Sequence, residues 1–524
     1  MESLHWADQF AQNIIREKGK KKRYTVASGI TPSGTVHIGN FREIITVELI
    51  SRALKNAGKQ VRFIYSWDDY DVFRKVPGNM PKKSMLKENL RKPIVDIPDP
   101  FETEKSYARH HEVDVETDVA KVGIFPEYIY QSNKYRKKDY NKEIAIALKN
   151  TKKIQDILNK YRKEPLNKDW LPLTGFCPEC GKDEIKFFDY DNKDNVKMKC
   201  TLCNKTIDVN IKTANFLKLP WRIDWPMRWN YEKVDFEPGG KDHSTVGGSF
   251  STGKEIVEIY GGTAPSYLMY NFISIKGTGG KIASSKGNVI TLRDCLEVYD
   301  PEIVRYLFAG TRPSAEFAIS FDLDVLKIYE DFDKCERIAF KKQEAKSDKE
   351  YQKQRRIYEL SAVDKPAKNM PFQPSFRHLT TIIQIYNKNI KKILNYYKPK
   401  TKADIKRITS RANCAINWLD NYAPEDIKFK LNEKIASNIK YSLKDKEKNA
   451  LLNLATILKK KRFNEKDLFN EFYTLSKNFN LEPKTFFKIA YKSLVNKEKG
   501  PKLAPFILEI GQEKVSKIFY QLKQ

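Results

Sequence analysis

The chain has 524 residues, 40% hydrophobic and 12% aromatic, too long for one core and rich enough for two to four globular domains. Its 96 Lys and Arg against 67 Asp and Glu leave a formal charge of +29, and 18 of those surplus charges fall after Pro371, where 32 basic residues face 14 acidic ones. So uneven an excess points to a polyanion partner, most often nucleic acid, more than to a Lys-rich proteome, and no apolar run approaches the ~20 residues of a membrane span.

In chain order, the N-terminal "MESLHWADQFAQNIIREKGKKKR" lacks the apolar core of a signal peptide, so a cytoplasmic protein is expected. Residues Tyr24 to Ser28 alternate like a strand, "SGITPSGTVHIGN" (Ser28 to Asn40) is a Gly-rich turn, and Phe41 to Leu54 carry apolar residues at helical spacing. With "VRFIYSW" (Val61 to Trp67) as the next strand, this is a βαβ unit and predicts a parallel sheet. The stretch Lys75 to Pro93 reads as loops, and Tyr107 to Lys163 as charged helices. A second glycine-rich region, Ile256 to Phe308, suits the other half of a nucleotide-binding fold. Beyond Pro371 strand signals fade, and segments such as "HLTTIIQIYNKNIKKILNYY" and "EKNALLNLATILKKK" predict an α-helical bundle.

Two cysteine pairs stand apart. Cys177 and Cys180, then nineteen residues, then Cys200 and Cys203 have zinc-ribbon spacing. Four thiolates close a tetrahedral site, so a Zn2+ held there is structural. Cys295, Cys335 and Cys414 read as small apolar residues.

In a βαβ unit the turn after the first strand gathers backbone N–H groups and a helix N-terminus around one point, which attracts phosphate. Gly34 and Gly39 let a ligand approach, and His37 is placed to donate to a phosphate oxygen whose charge grows during reaction. Taken alone, the turn reads more readily as an ordinary tight one with a solvent-exposed histidine, since short Gly-rich turns are common. Far downstream, "GTGGKIASSKGNVI" (Gly277 to Ile290) sets Lys281 and Lys286 around Ser284 and Ser285, a composition suited to neutralising a triphosphate. Alone, it reads as a surface loop.

Together the two stretches resemble the paired signatures of class I aminoacyl-tRNA synthetases. "HIGN" (His37 to Asn40) stands where that class has HIGH, and "KIASS" (Lys281 to Ser285) where it has KMSKS. Within the class the chain is most similar to the lysyl branch, through "SGITPSGTVHIGNFRE", "SWDDYDVFRKVP", "GKDHSTVGGS" and "KIASSKGNV", with "LEIGQEKV" fitting near the end. In the second signature Ser284 holds the place of the class's second lysine, and Lys286 is positioned to supply the missing charge.

The resemblance implies an α/β protein: a Rossmann-type parallel-sheet catalytic domain over 1–310 with a zinc ribbon inserted at 173–208, a connecting stem-contact region over 311–370, and a C-terminal α-helical anticodon-binding bundle over 371–524. It implies activation of L-lysine by ATP with Mg2+ and transfer of the lysyl group to the 2′-hydroxyl of the 3′ adenosine of tRNA(Lys). His37, Asn40, Lys281 and Lys286 are then catalytic, and Gly39, Asp242, Ser284 and Ser285 join them in binding ATP. Gly29, Thr31, Trp221, His243 and Tyr270 form the lysine pocket, with Asp68, Asp69 and Asp71 offering further negative charge. Singly, each has a structural reading: Trp221 as core, Asp68 as a helix cap, Tyr270 as packing. The competing readings are a class I synthetase for glutamate or cysteine, and a non-catalytic zinc-ribbon nucleic-acid-binding protein.

Overall fold

The computed structural model describes residues 5–276 and 289–523, which divide into two compact units. The first holds residues up to 296 together with 301–319 and 335–368, and the second holds 297–300, 320–334 and 369–524. Of the segment 311–370, residues 311–319 and 335–368 fall in the first unit and 320–334 and 369–370 in the second.

The first unit is built on five parallel strands: β1 (Arg23–Ile30), β2 (Gln60–Trp67), β3 (Glu127–Tyr130), β4 (Phe236–Gly240) and β5 (Ser266–Tyr270), in the spatial order β5-β4-β1-β2-β3. That is the doubly wound order, with its switch point between β1 and β4. Among the described residues β1 and β4 pair only at Val26–Phe236, so the strands part toward their carboxyl ends and open a crevice there. The same parting accommodates Pro238 in an inner strand, since its missing N–H has no ladder bond to make on that side.

Helix α1 (Ile38–Asn56) follows β1 and is buried on nearly every face, the polar Arg42, Thr46, Glu48 and Ser51 included. Helix α2 (Tyr107–Lys121) leads to β3, and α3 (Trp221–Tyr231) and α4 (Ser249–Ile259) flank β4. Two sequence expectations change here. The stretch Tyr107 to Lys163 is not wholly helical, because the four-residue β3 interrupts it, too short to show alternation. Lys75 to Pro93 contains a short helix, Lys83–Glu88, that buries Leu86.

Residues 174–218 carry the ribbon. Strands Ile185–Phe188, Asn195–Cys200 and Thr206–Asn210 form an antiparallel sheet whose buried side, Phe187, Val196, Met198 and Val209, joins one core with Tyr70, Tyr135 and Phe176. The second unit is helical beyond 375, with Phe376, Leu379, Ile383, Ala415 and Trp418 among its buried residues. Its first predicted amphipathic stretch is broken into Phe376–Ile385 and Ile390–Tyr397, because Asn387 and Lys388 turn left-handed between them. Inside this unit Arg411 is fully buried and grips Asp333 through both terminal nitrogens, at 2.6 and 3.1 Å.

Candidate active site

At the crevice, β1 ends in the turn that holds the first signature. His37 is the N-cap of α1 in an extended conformation, and its own N–H donates to Asn40 Oδ1 at 3.2 Å. Asn40 thus spends its amide oxygen on the helix start. Gly39 is required by the histidine: a Cβ there would sit 2.8 Å from two atoms of the His37 ring. Gly29 is required by the sheet, since its Cβ would come within 2.6 Å of the Ser66 carbonyl on β2.

The second signature approaches this point from its described end. The Ile290 carbonyl accepts the Ile38 N–H at 2.8 Å, tying the residues that follow the lysines to the first turn of α1. Lys281, Ser284, Ser285 and Lys286 lie outside the described residues.

A cleft of about 490 Å³ gathers Gly29, Thr31, His37, Asn40, Trp221, His243 and Tyr270, so residues 29 to 270 of the sequence meet around one space. Asp68 and Asp71 line it too, whereas Asp69 turns away to the backbone and hydroxyl of Ser132. Asp242 is exposed and does not line the cleft. Trp221 forms a wall: its ring stacks on Trp225 at 5.3 Å, lies under the Arg228 guanidinium, and donates through Nε1 to Ser249 Oγ. His243 stands beside both tryptophan rings, and burial lowers its pKa, favouring the neutral imidazole.

The floor is a buried charge cluster. Arg228 reaches Asp68 at 2.7 Å and Asp224 at 3.3 Å, Lys218 reaches Asp71 at 2.9 Å and Asp224 at 3.5 Å, and Thr31 Oγ1 donates to Asp71 at 2.9 Å. Asp68 is therefore an ion-pair partner, not a helix cap. Two cations face three carboxylates, leaving one formal negative charge in the cluster, of which Asp68 and Asp71 line the cleft. Glu43 adds a further acid. It accepts the Gly29 N–H at 3.1 Å and the Tyr270 hydroxyl at 2.5 Å, and burial pushes its pKa up to about 7.

Sequence reasoning passed over Glu43, Lys218, Asp224 and Arg228. Glu43 carried a signal, being a carboxylate in the first turns of an apolar helix directly after "HIGN". Lys218, Asp224 and Arg228 sit in a stretch whose charges look like an ordinary solvated face.

In the ribbon, Cys177 Sγ lies 3.6 Å from Cys203 Sγ and Cys180 Sγ 3.7 Å from Cys200 Sγ, and all four sulfurs fall within 4.8 Å of one another. A tetrahedron with Zn–S bonds of ~2.3 Å has edges of about 3.8 Å, so the four thiols fit zinc. The two knuckles repeat each other. Cys177 and Cys200 donate their N–H to Lys182 and Lys205 at 2.9 Å, and Gly181 and Asn204 are left-handed at matching positions.

A doubly wound sheet with a polar cleft at its switch point defines a nucleotide-binding α/β enzyme. The family model for tRNA synthetases class I (K) matches residues 4–364. Lysine–tRNA ligases from Borreliella burgdorferi, Treponema pallidum and Thermococcus kodakarensis are 51%, 46% and 42% identical. Each alignment covers 98–99% of this chain and of the relative. The chain belongs to the class I (K) tRNA synthetase family. Among the described residues no helix is long and apolar enough to cross a membrane.

Proposed function

We propose that the chain ligates L-lysine to tRNA(Lys). The lysine carboxylate attacks the α-phosphorus of ATP held with Mg2+, the bond to the β-phosphate oxygen breaks, and pyrophosphate leaves. The lysyl group then passes from adenylate to the 2′-hydroxyl of the tRNA 3′ adenosine. Such transfers need positioning and charge neutralisation more than a side-chain nucleophile.

The observation that carries this reading is the acidic cleft floor. A buried cluster with one carboxylate too many, beside Glu43 and under the Trp221 ring, favours a substrate with a cationic end and an aliphatic stem. Glutamate would meet repulsion there. Glu43, Tyr270, Gly29, Thr31, Trp221 and His243 hold lysine in this proposal. His37, Gly39 and Asn40 meet the phosphates from the helix start, and Lys281, Ser284, Ser285 and Lys286 from the second signature. The names of the relatives agree with lysine as substrate. The four cysteines hold a structural Zn2+. The basic helices of 371–524 grip the anticodon arm, 311–370 contacts the acceptor stem, and the protein works in the cytoplasm.

The test is amino-acid-dependent exchange of labelled pyrophosphate into ATP across twenty amino acids. Lysine alone should support it, and His37→Ala should slow it ~10²–10³-fold, the usual loss for one donor to developing charge. Exchange with glutamate or cysteine but not lysine redirects the substrate. Exchange with none favours a nucleic-acid-binding protein.

A further inference from the structure

Outside the cleft and the ribbon, the first turns of α2 place His110, His111 and Asp114 together, with one ligating atom of each within 4.8 Å of the others. His110 Nε2 lies 3.6 Å from Asp114 Oδ2. The ring is fixed from behind: Nδ1 shares a 2.9 Å hydrogen bond with Thr103 Oγ1, Asp99 Oδ2 stands 3.5 Å away, and the ring stacks on Phe101 at 4.2 Å. An imidazole held at one nitrogen by an oxygen partner, its other nitrogen turned to a carboxylate, is the usual arrangement of a metal-ligating histidine.

His111 supplies an independent observation. It is only 3% exposed, and its Nε2 is buried with no hydrogen-bond partner. A buried polar atom left so is costly, and an arriving ligand recovers that cost. His111 and Asp114 line a small cavity of about 60 Å³, shared with Asp118 and with His37 and Asn40 of the first signature. Asp114 divides its oxygens, Oδ1 accepting from Arg293 at 2.8 Å and Oδ2 facing His110.

We propose that His110, His111 and Asp114 form a second divalent-metal site, separate from the four cysteines. Two imidazoles and one carboxylate select a borderline cation such as Zn2+, Co2+ or Ni2+ over Mg2+, with water completing the coordination.

The test is cobalt titration of the full-length protein after metal removal. The first equivalent should fill the cysteines and bring intense thiolate-to-cobalt charge transfer. A second should add only weak visible d–d bands. His110→Ala, His111→Ala and Asp114→Asn should each weaken the second equivalent at least tenfold and leave the first unchanged. His111 is buried, so circular dichroism accompanies its variant. If that variant misfolds, the other two decide. One equivalent only in the unaltered protein, or a second equivalent that survives in the folded variants, overturns the assignment.

Discussion

The ribbon and the cleft spend their polar groups in opposite ways. In the ribbon, four sulfurs at tetrahedral spacing face one another and each knuckle repeats the other's hydrogen bond. At the cleft, three carboxylates face two cations, and the pKa of Glu43 is pushed up to about 7. A site that closes its own valences is structural. A site that leaves them open is waiting for a substrate to close them.

The largest effect belongs to the ribbon. Structural zinc contributes apparent folding free energies of about 10–16 kcal/mol in small peptides. Cys200→Ser should therefore unfold residues 174–218 locally. Hydrogen exchange should show these amides losing protection while β1 and β2 keep theirs. Ribbon protection unchanged in the variant, or after chelation of the unaltered protein, would mean that packing against Tyr70 and Phe176 suffices without a metal.

The same contrast explains what could be read from sequence. The ribbon was legible because its ligands fall within residues 177–203 at a spacing set by two local turns. The βαβ unit and His37 were legible because strand, turn and helix adjoin. The cleft floor was not: Lys218, Asp224 and Arg228 meet Asp68 and Asp71 only through tertiary folding, across some 150 positions. Strand β4, "FEPGG", hid because Pro and Gly argue against an inner strand, and only the parting of β1 from β4 permits it there.

A middle-sized effect concerns Glu43. Below about pH 7 its carboxyl is protonated, so binding a lysine ammonium must first expel that proton. Lysine affinity should rise with pH toward about 7 and level off above it, by up to roughly tenfold per unit. Glu43→Gln should flatten the profile and weaken lysine binding at pH 8 by about 1.5–3 kcal/mol, the range for a hydrogen bond to a charged group. The KM for lysine in the exchange reaction, followed from pH 6 to 8.5, measures both, and a flat profile in the unaltered protein breaks the contrast. Stability moves the other way. Unfolded glutamate titrates near 4.5, so between there and about 7 the folded state holds a proton that the unfolded state has lost, and this contribution disappears as pH rises across that window. Glu237, raised to about 7 by burial beside Trp229, shares the stability effect without lining the cleft, so lysine affinity singles out Glu43.

The smallest effect on the fold, and the one that separates helix capping from catalysis, is at Asn40. Asn40→Asp keeps an oxygen for the His37 N–H and sets a negative charge in the first turn of α1, where the helix dipole favours it by ~0.3–1 kcal/mol. Thermal unfolding should therefore shift slightly upward or stay level. The substitution also replaces the NH2 donor with a carboxylate that repels phosphate, so pyrophosphate exchange should slow although the protein is no less stable. A fall in melting temperature contradicts the capping role. Exchange at the unaltered rate means that the amide faces no phosphate, and the open valence at this end of the cleft belongs to the helix alone.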